Sequence, residues 1–368
     1  MRIAMLTPYA GIVDRGAENI TKELKDQLGK NHTVDVYSWK ETEWTVSVGN
    51  LRPNKGFRRI HKKIFKHLPT PPFLGPLWID TMFFALNFYK KMIKEKRGYD
   101  FLIVNCGFWG GISAQLYKRI FNTPFIIIGH AGGHSEIFGL ITKPDGFVAN
   151  NLSTKKILDI FDITKVKFIL NGVNLDSFNP DGPKFSNDYF KGFNENARIQ
   201  SPKILCACAF EKFKRVDLII KAASKLDKGT LILAGDGPLK NKLISMGEEL
   251  LGDRFLYLGF FPHKDIPKLY RSCDVYCLPS IGENASVALL EALACNIPII
   301  THKDQNRSYV IGKGGKLIDV RDTEKFTETL RKIRVLEFKD LPRKQAEKFG
   351  WENIAKSYEK FMEEIISE

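Results

Sequence analysis

The sequence of 368 residues lacks the features that mark several large classes of protein. Its six cysteines form no C-x-x-C pair, and no Cys/His set has zinc-finger spacing, so we expect reduced, buried thiols rather than disulfides or a metal. The longest apolar stretch, Pro71 to Tyr89, is interrupted by prolines, Asp80 and Asn87, whereas a membrane span needs about 18 to 20 clean residues. The apolar N-terminus is broken at Pro8 and is too short for a signal peptide. These absences predict a cytoplasmic protein without a transmembrane anchor.

Acidic residues are scarce in one part of the chain. The whole sequence holds 56 Lys and Arg against 42 Asp and Glu, a formal net charge of +14. Residues 51–100 alone contain 12 basic and 3 acidic residues, and therefore carry +9 of that excess. The positive charge is a local feature and does not describe the whole protein.

The basic segment Arg52–His67 has seven Lys or Arg and no acid. Its apolar residues recur at helical spacing among Arg58, Arg59, Lys62 and Lys63, which is typical of a helix that lies on an anionic membrane surface. The segment is also compatible with a solvated helix packed on the core, or with a nucleic-acid patch. It carries no recognised nucleic-acid motif, so we favour the membrane and predict no nucleic-acid partner.

Short β-type runs alternate with helical segments from end to end, which predicts an α/β protein with parallel sheets covered on both faces. The pattern occurs twice, so we expect two Rossmann-like domains that face each other across a ligand cleft. The segment Asn179–Pro202, rich in turn-forming residues, is the predicted connection between them, with a surface insertion as the alternative. The predicted strands are Ile3–Leu6, Val34–Tyr37, Phe101–Val104, Phe125–Ile128, Gly146–Ala149, Phe168–Leu170, Ile204–Ala207, Thr230–Ala234, Phe255–Leu258, Val275–Leu278, Ile297–Thr301 and Lys316–Ile318. The amphipathic segment Trp351–Ile366 is predicted to be a helix that docks on a core.

Two glutamates eight residues apart carry the most information about chemistry. Glu283 precedes a predicted helix, at an end where free N–H groups and the helix dipole attract anions. Glu291 lies within the same helix among leucines and alanines. A carboxylate in that position either faces solvent or accepts specific hydrogen bonds, such as those of ribose hydroxyls.

This pair and its flanking residues resemble the E-x7-E signature of family 4 retaining glycosyltransferases, which have the GT-B fold. Further segments agree with the family in order along nearly the whole chain. These are Gly16-Ala17-Glu18, His130 at the end of "FIIIGH", "LNGVNLDSFNP" (Leu170–Pro180), "FKRVDLIIKA" with Lys214, "LILAGDGP" (Leu231–Pro238) and the terminal "FGWENIAKSYEKF". The resemblance implies an acceptor-binding domain at residues 1–172, a nucleotide-sugar-binding domain at 173–345, and a C-terminal helix at 346–368 that packs back on the N-terminal domain.

By this resemblance, the donor diphosphate is neutralised by Lys214 together with Arg215, and Gly16 permits close approach of the backbone. Lys212 is the alternative to Lys214 if the loop is shifted by two residues. The arginine that the family usually has upstream of this lysine would fall at Ala209 or Cys208. No two aspartates are two residues apart, so the metal-binding Asp-x-Asp device is absent and we predict no metal and no cofactor.

The resemblance also assigns roles around the two glutamates. Glu283 would bind the hydroxyls of the donor sugar, Glu291 the ribose, and the backbone of Asn284, Ala285 and Ser286 the diphosphate. His130 would lie beside the reacting sugar, and Gly235 and Gly237 near the nucleobase. His130 and Glu283 are therefore the predicted catalytic residues.

The predicted function is retaining, metal-independent transfer of a hexose from a UDP- or GDP-linked donor to a hydroxyl acceptor. The acceptor expected is a membrane glycolipid, or a lipid-linked or surface glycan, which places the protein on the inner face of the cytoplasmic membrane. A non-catalytic nucleotide-sugar-binding or scaffold subunit and a sugar-nucleotide epimerase of the same fold are the alternatives.

Overall fold

The structure is a computed structural model, and it describes residues 1–12, 16–49, 76–129, 138–161, 165–283, 286–333 and 336–368. The chain divides into two compact units. The first comprises Met1–Asn171 together with Trp351–Glu368, and the second comprises Gly172–Gly350. The chain therefore leaves the first unit, builds the second, and returns to the first.

The first unit is built on a parallel sheet, seven-stranded over its described residues, in the order β3-β2-β1-β4-β5-β6-β7. Its inner strands are continuous apolar runs with no exposed face, as expected for strands covered by helices on both sides. The strands are β1 (Arg2–Leu6), β2 (Thr33–Ser38), β3 (Val46–Ser47), β4 (Phe101–Val104), β5 (Phe125–Gly129), β6 (Gly146–Ala149) and β7 (Lys165–Phe168). The helices between them are α1 (Gly16–Leu28), α2 (Pro76–Glu95), α3 (Gly107–Phe121) and α4 (Leu152–Phe161), with a 3-10 helix at Phe138–Thr142.

The second unit repeats this plan with a parallel sheet that has six strands among the described residues, in the order β10-β9-β8-β11-β12-β13. The strands are β8 (Lys203–Ala207), β9 (Thr230–Ala234), β10 (Phe255–Tyr257), β11 (Val275–Leu278), β12 (Ile299–His302) and β13 (Gly315–Ile318). The helices are α5 (Asn187–Lys191), α6 (Val216–Ser224), α7 (Lys240–Leu251), α8 (Ile266–Arg271), α9 (Val287–Ala294), α10 (Gln305–Ile311), α11 (Thr323–Lys332) and α12 (Leu341–Glu347). In each sheet the strand order reverses once, between β1 and β4 and between β8 and β11. Ligands of open α/β sheets bind at the carboxyl ends of strands at such points.

The last helix, α13 (Trp351–Ile366), completes the first unit. Its apolar face packs in one core cluster with residues of β1, α1 and β4. Asn31 Nδ2 donates a hydrogen bond of 3.0 Å to Glu359 Oε1 at the edge of this contact. The buried residues of the helix are Trp351, Ile354, Ala355, Tyr358, Phe361, Met362 and Ile365.

The predicted α/β class and the two parallel sheets are confirmed, two local predictions are wrong, and one short strand was missed. The strand predicted at Phe168–Leu170 lies at Lys165–Phe168, where lysines alternate with apolar residues. Such alternation suits an edge strand, which β7 is, and a search for continuous apolar runs passes over it. The two-residue strand β3 was not predicted. The segment Asn179–Pro202 does not connect the units, because it lies inside the second and contributes helix α5.

Candidate functional site

Five of the predicted site residues lie in the second unit, in segments that follow the carboxyl ends of β8, β9 and β11: Lys214, Gly235, Gly237, Glu283 and Glu291. A cavity of about 370 Å³ opens there beside the reversal of strand order. Its wall is mostly apolar, and its acidic and histidine side chains are Asp236, His263 and Glu291. It is lined by Ala207, Cys208, Ala209, Ala234, Gly235, Asp236, Phe260, Phe261, His263, Ile266, Tyr270, Ala288 and Glu291. A cavity with few polar groups in an apolar wall is the usual form of a small-molecule site.

Lys214 and Glu283 form an ion pair near this edge of the sheet. Lys214 ends a 3-10 helix at Lys212–Lys214, and Glu283 lies in the loop that follows β11. The two segments are joined by a backbone hydrogen bond of 2.9 Å from Ile281 N to the Phe213 carbonyl oxygen. The side chains of Lys214 and Glu283 are only 11% and 17% exposed, so water screens their attraction weakly.

A third charged group, Arg307, lies behind Glu283 and is fully buried. Its Nη1 donates a hydrogen bond of 2.8 Å to Asp304 Oδ2, and its Nη2 donates one of 2.7 Å to Ser280 Oγ. Nη2 is also 3.9 Å from Glu283 Oε2. Burial lowers the pKa of Arg307, while the charges of Asp304 and Glu283 act in the opposite direction. The carboxylate of Glu283 therefore lies between two cations.

Glu291 is buried on α9 and accepts hydrogen bonds from two side chains. Its Oε1 is 3.0 Å from His263 Nε2, and the Tyr270 hydroxyl donates to its Oε2 at 3.4 Å. The same hydroxyl is 3.2 Å from the Ala288 carbonyl oxygen, and burial, followed by the charge of Glu291, raises the pKa of Tyr270. Of the two environments that the sequence allows for Glu291, the structure has the buried, hydrogen-bonded one.

Gly235 and Gly237 bring the loop after β9 against the loop after β8. Both have positive φ values, +139° and +154°. A Cβ on Gly235 would lie 2.0 Å from the Cys208 carbonyl oxygen, and one on Gly237 would lie 2.7 Å from Phe210 N. Glycine is required at both positions for this close approach, which forms one wall of the cavity.

Other predicted donor residues have different surroundings. The Arg215 guanidinium is held by Asp217, with hydrogen bonds of 3.1 and 3.2 Å, and that carboxylate raises the pKa of Arg215. Ser286 is the N-cap residue of α9. Gly16 begins α1 in the first unit.

Several predicted residues lie outside the described part of the chain. They are His130, Asn284, Ala285, Arg58, Arg59, Lys62 and Lys63. Within the described ranges, no group of three or more His, Cys, Asp or Glu side chains is arranged to hold a metal ion. All six cysteines are free, and burial raises the pKa of Cys106 to about 12. No helix in the described ranges has the length and apolar character needed to cross a bilayer.

Sequence reasoning missed three side chains of this cluster: His263, Tyr270 and Arg307. His263 and Tyr270 lie after β10, in a segment for which no site residue was predicted. Arg307 follows β12 in a polar stretch where an arginine has the appearance of a surface residue. The topology was its one available signal, because β12 neighbours β11 and the carboxyl ends of parallel neighbours lie side by side.

Comparison with known proteins gives a family match in the unit that holds the cluster. Residues 191–349 match the family model described as glycosyl transferases group 1. An uncharacterized glycosyltransferase of Methanocaldococcus jannaschii is 23% identical to this chain, and the alignment covers 97% of the chain and 96% of that relative.

Solved structures of similar fold span the whole chain. Sucrose-phosphate synthase from Thermosynechococcus elongatus has a TM-score of 0.72 at 17% identity, covering 100% of this chain and 99% of that one. HepE of Anabaena, crystallised in complex with UDP-glucose, has a TM-score of 0.66 at 16% identity and covers 99% and 100% of the two chains. At these identities the likeness concerns the fold.

Proposed function

Because this chain is a group 1 glycosyltransferase with the GT-B fold, we propose that it transfers a hexose from a nucleotide diphosphate sugar to a hydroxyl acceptor. The transfer retains the configuration at the anomeric carbon and needs no metal ion. The donor is UDP- or GDP-linked. The similarity to a protein that was crystallised with UDP-glucose supports a donor of this class.

The observation that carries the proposal is the buried Lys214–Glu283 pair at the same sheet edge as a cavity that Glu291 lines. A nucleotide sugar presents hydroxyls at both ends and two negative charges between them. Carboxylates accept hydrogen bonds from the hydroxyls, and an ammonium group neutralises the negative charge. The second unit brings these groups together at the edge of a sheet where such folds bind nucleotides.

In the proposed reaction, Lys214 stabilises the negative charge that develops on the leaving diphosphate. Glu283 accepts hydrogen bonds from the sugar hydroxyls, and Glu291 from the ribose. The bond between the anomeric carbon and the diphosphate oxygen breaks while the acceptor oxygen attacks from the same face. The proton of the acceptor hydroxyl passes to the departing diphosphate, so no carboxylate nucleophile is needed. His130 is assigned by the sequence resemblance to the surroundings of the reacting sugar.

Thermal unfolding with UDP-, GDP- and ADP-linked sugars, each with and without a chelator, tests the donor. We expect one nucleotide class to raise Tm, and the chelator to leave that rise unchanged. A nucleotide whose free concentration is about 100 times its Kd stabilises the folded state by about 2.7 kcal/mol. If no nucleotide raises Tm, the donor site is wrong.

Glu283→Ala separates a transferase from a scaffold subunit. The transferase loses sugar transfer by about 100-fold or more with this change, because transition-state contacts to the sugar disappear. A scaffold that merely binds nucleotide keeps its function. Measurement of product formation together with nucleotide affinity distinguishes the two.

The acceptor is proposed to be a glycolipid, a lipid-linked saccharide or a surface glycan at an anionic membrane that the protein contacts peripherally. The support is the sequence of the basic segment Arg52–His67. Sedimentation with anionic vesicles should fall sharply when Arg58, Arg59, Lys62 and Lys63 are neutralised together. Unchanged sedimentation, or none for the unmodified protein, would remove this part of the proposal.

A further inference from the structure

Arg307 is a buried cation for which the proposed reaction provides no role. Its side chain is 0% exposed, and Ser280 and Asp304 hold the two Nη atoms. Among the described residues, neither Arg307 Nε nor Glu283 Oε2 has a hydrogen-bond partner. A buried guanidinium needs a compensating charge, and Asp304 supplies one. The pair with Asp304 explains how the charge of Arg307 is tolerated, but not why Arg307 Nη2 also lies 3.9 Å from Glu283 Oε2.

Lys214 is required in two places during the reaction. In the structure it neutralises Glu283, and in the proposed function it neutralises the donor diphosphate. When Lys214 turns to the diphosphate, Glu283 loses its nearest cation while it is still largely buried. An unpaired buried carboxylate is costly, so without a second cation Glu283 would compete with the donor for Lys214.

We propose that Arg307 is a positioning residue that holds Glu283 as an oriented carboxylate and so frees Lys214 for the donor diphosphate. This inference rests on the proposed function. The geometry supports it, because Arg307 Nη2 is anchored on Ser280, directly after β11, and lies 3.9 Å from Glu283 Oε2, three residues further along the same loop. The separation is that of an ion pair without a hydrogen bond, which leaves room for the carboxylate to move towards Arg307 when Lys214 withdraws.

The alternative is that Arg307 only stabilises the fold through Asp304, the N-cap residue of α10. A double-mutant cycle with Glu283 distinguishes the two roles, because a residue that acts through Glu283 loses its effect when the Glu283 charge is removed. The measured quantities are the affinities for UDP and GDP, the donor kcat and KM, and Tm for every variant. All measurements use the full chain.

We expect Arg307→Gln to weaken binding of the preferred nucleotide about tenfold, and to have less than about a threefold effect when Glu283→Gln is already present. Arg307→Lys, which keeps a cation, should restore part of the affinity. Ser280→Ala removes the anchor of Arg307 Nη2 and should weaken nucleotide binding by a smaller factor, about threefold. This effect should also disappear when Glu283→Gln is already present. This variant tests the same link if the arginine variants fold poorly.

Arg271→Gln is the matched control. Arg271 is also a buried arginine of the second unit, but it donates to the backbone oxygens of Pro183 and Asn179. Its effect on nucleotide affinity should be the same with and without Glu283→Gln.

If Arg307→Gln weakens nucleotide binding equally in both backgrounds, the role of Arg307 is structural and the inference is overturned, while the proposed function stands. If the unmodified protein binds neither UDP nor GDP, the proposed function and the inference fail together.

Discussion

The two sheets carry different chemistry at corresponding places. At the reversal between β1 and β4, the first unit has a neutral network: Asn105 Nδ2 donates to Thr7 Oγ1 at 2.9 Å and to Thr21 Oγ1 at 3.2 Å. At the reversal between β8 and β11, the second unit has Lys214, Glu283 and Arg307 in ionic contact.

The difference shows that one architecture can hold either neutral or charged groups at the same place in the sheet. Hydroxyls and an amide satisfy one another at little cost, and they carry no fixed charge for an anionic ligand to meet. When a dianionic ligand binds, one of the two buried cations can turn from the carboxylate to the ligand. Each of these ionic contacts is strong because the local dielectric is low. Under the proposed function, this contrast favours the second unit as the site of the charged donor, on physical grounds that do not depend on motif similarity.

The largest effect on activity is expected from a substitution that removes one cation of the charged network. Lys214→Met should lower donor kcat/KM by about 100- to 1,000-fold, because the diphosphate loses its cation. Asn105→Ala, at the corresponding place in the first unit, should leave nucleotide affinity within about twofold, since no charge is removed there. Kinetics with saturating acceptor and nucleotide titrations measure both. A comparable loss of nucleotide affinity in the two variants would show that the contrast between the units is wrong.

A second prediction concerns the backbone that forms the wall of the cavity. Gly235→Ala should destabilise the second unit by about 2 to 4 kcal/mol, since φ is +139° and the new Cβ would meet the Cys208 carbonyl. The control is Gly98→Ala in the first unit, where a Cβ would have no neighbour within 4 Å. Urea unfolding followed separately for each unit measures the difference. Equal stability of the two variants would contradict the close approach of the two loops.

A smaller effect is expected from buried tyrosine hydroxyls. Tyr270→Phe leaves Glu291 with His263 and should weaken nucleotide binding by a few fold, which corresponds to about 1 kcal/mol. Tyr117, in the first unit, donates a hydrogen bond of 2.6 Å to the Arg97 carbonyl oxygen. Tyr117→Phe should therefore lower Tm without changing nucleotide affinity. If both variants change Tm and neither changes nucleotide affinity, the hydrogen bond from Tyr270 to Glu291 plays no part in nucleotide binding.

The smallest effect is a pH dependence at the same edge of the second sheet. His302, the last residue of β12, has a lowered pKa because burial disfavours its charged form, although Asp319 opposes the shift. The unfolded chain therefore binds a proton more readily, and the stability due to neutral His302 is present above about pH 6.5 and lost as pH falls through the folded pKa. NMR titration should place this histidine below 6.5, and His302→Gln should flatten the acid side of the stability curve. A measured pKa of 6.5 or higher for His302 would contradict the burial of its side chain.

Local patterns predicted the strands well because inner parallel strands are continuous apolar runs. Phe101–Val104, Gly146–Ala149, Thr230–Ala234 and Val275–Leu278 match the observed bounds. Edge strand β7 was misplaced because lysines alternate with its apolar residues, which interrupts the continuous hydrophobic pattern.

The site was predicted in part, for a different reason. Glu283, Glu291 and Lys214 were found through the spacing of motifs, and the structure brings Lys214 to Glu283 across 69 residues of sequence. Arg307 could not be found in this way, since its position beside Glu283 depends on β12 lying next to β11. Nothing in a single sequence distinguishes an arginine that faces a neighbouring loop from one that faces solvent.

The return of the chain to the first unit has a consequence for biosynthesis. The seven buried residues of α13 belong to a core whose other members are translated before residue 170. The second unit is contiguous, from Gly172 to Gly350, and Val173 N donates a hydrogen bond of 2.9 Å to the Phe349 carbonyl oxygen, so its two ends lie side by side. Domains generally fold as units during synthesis. Synthesis of the first unit therefore starts before that of the second and is completed after it, and the core of the first unit stays open until α13 emerges.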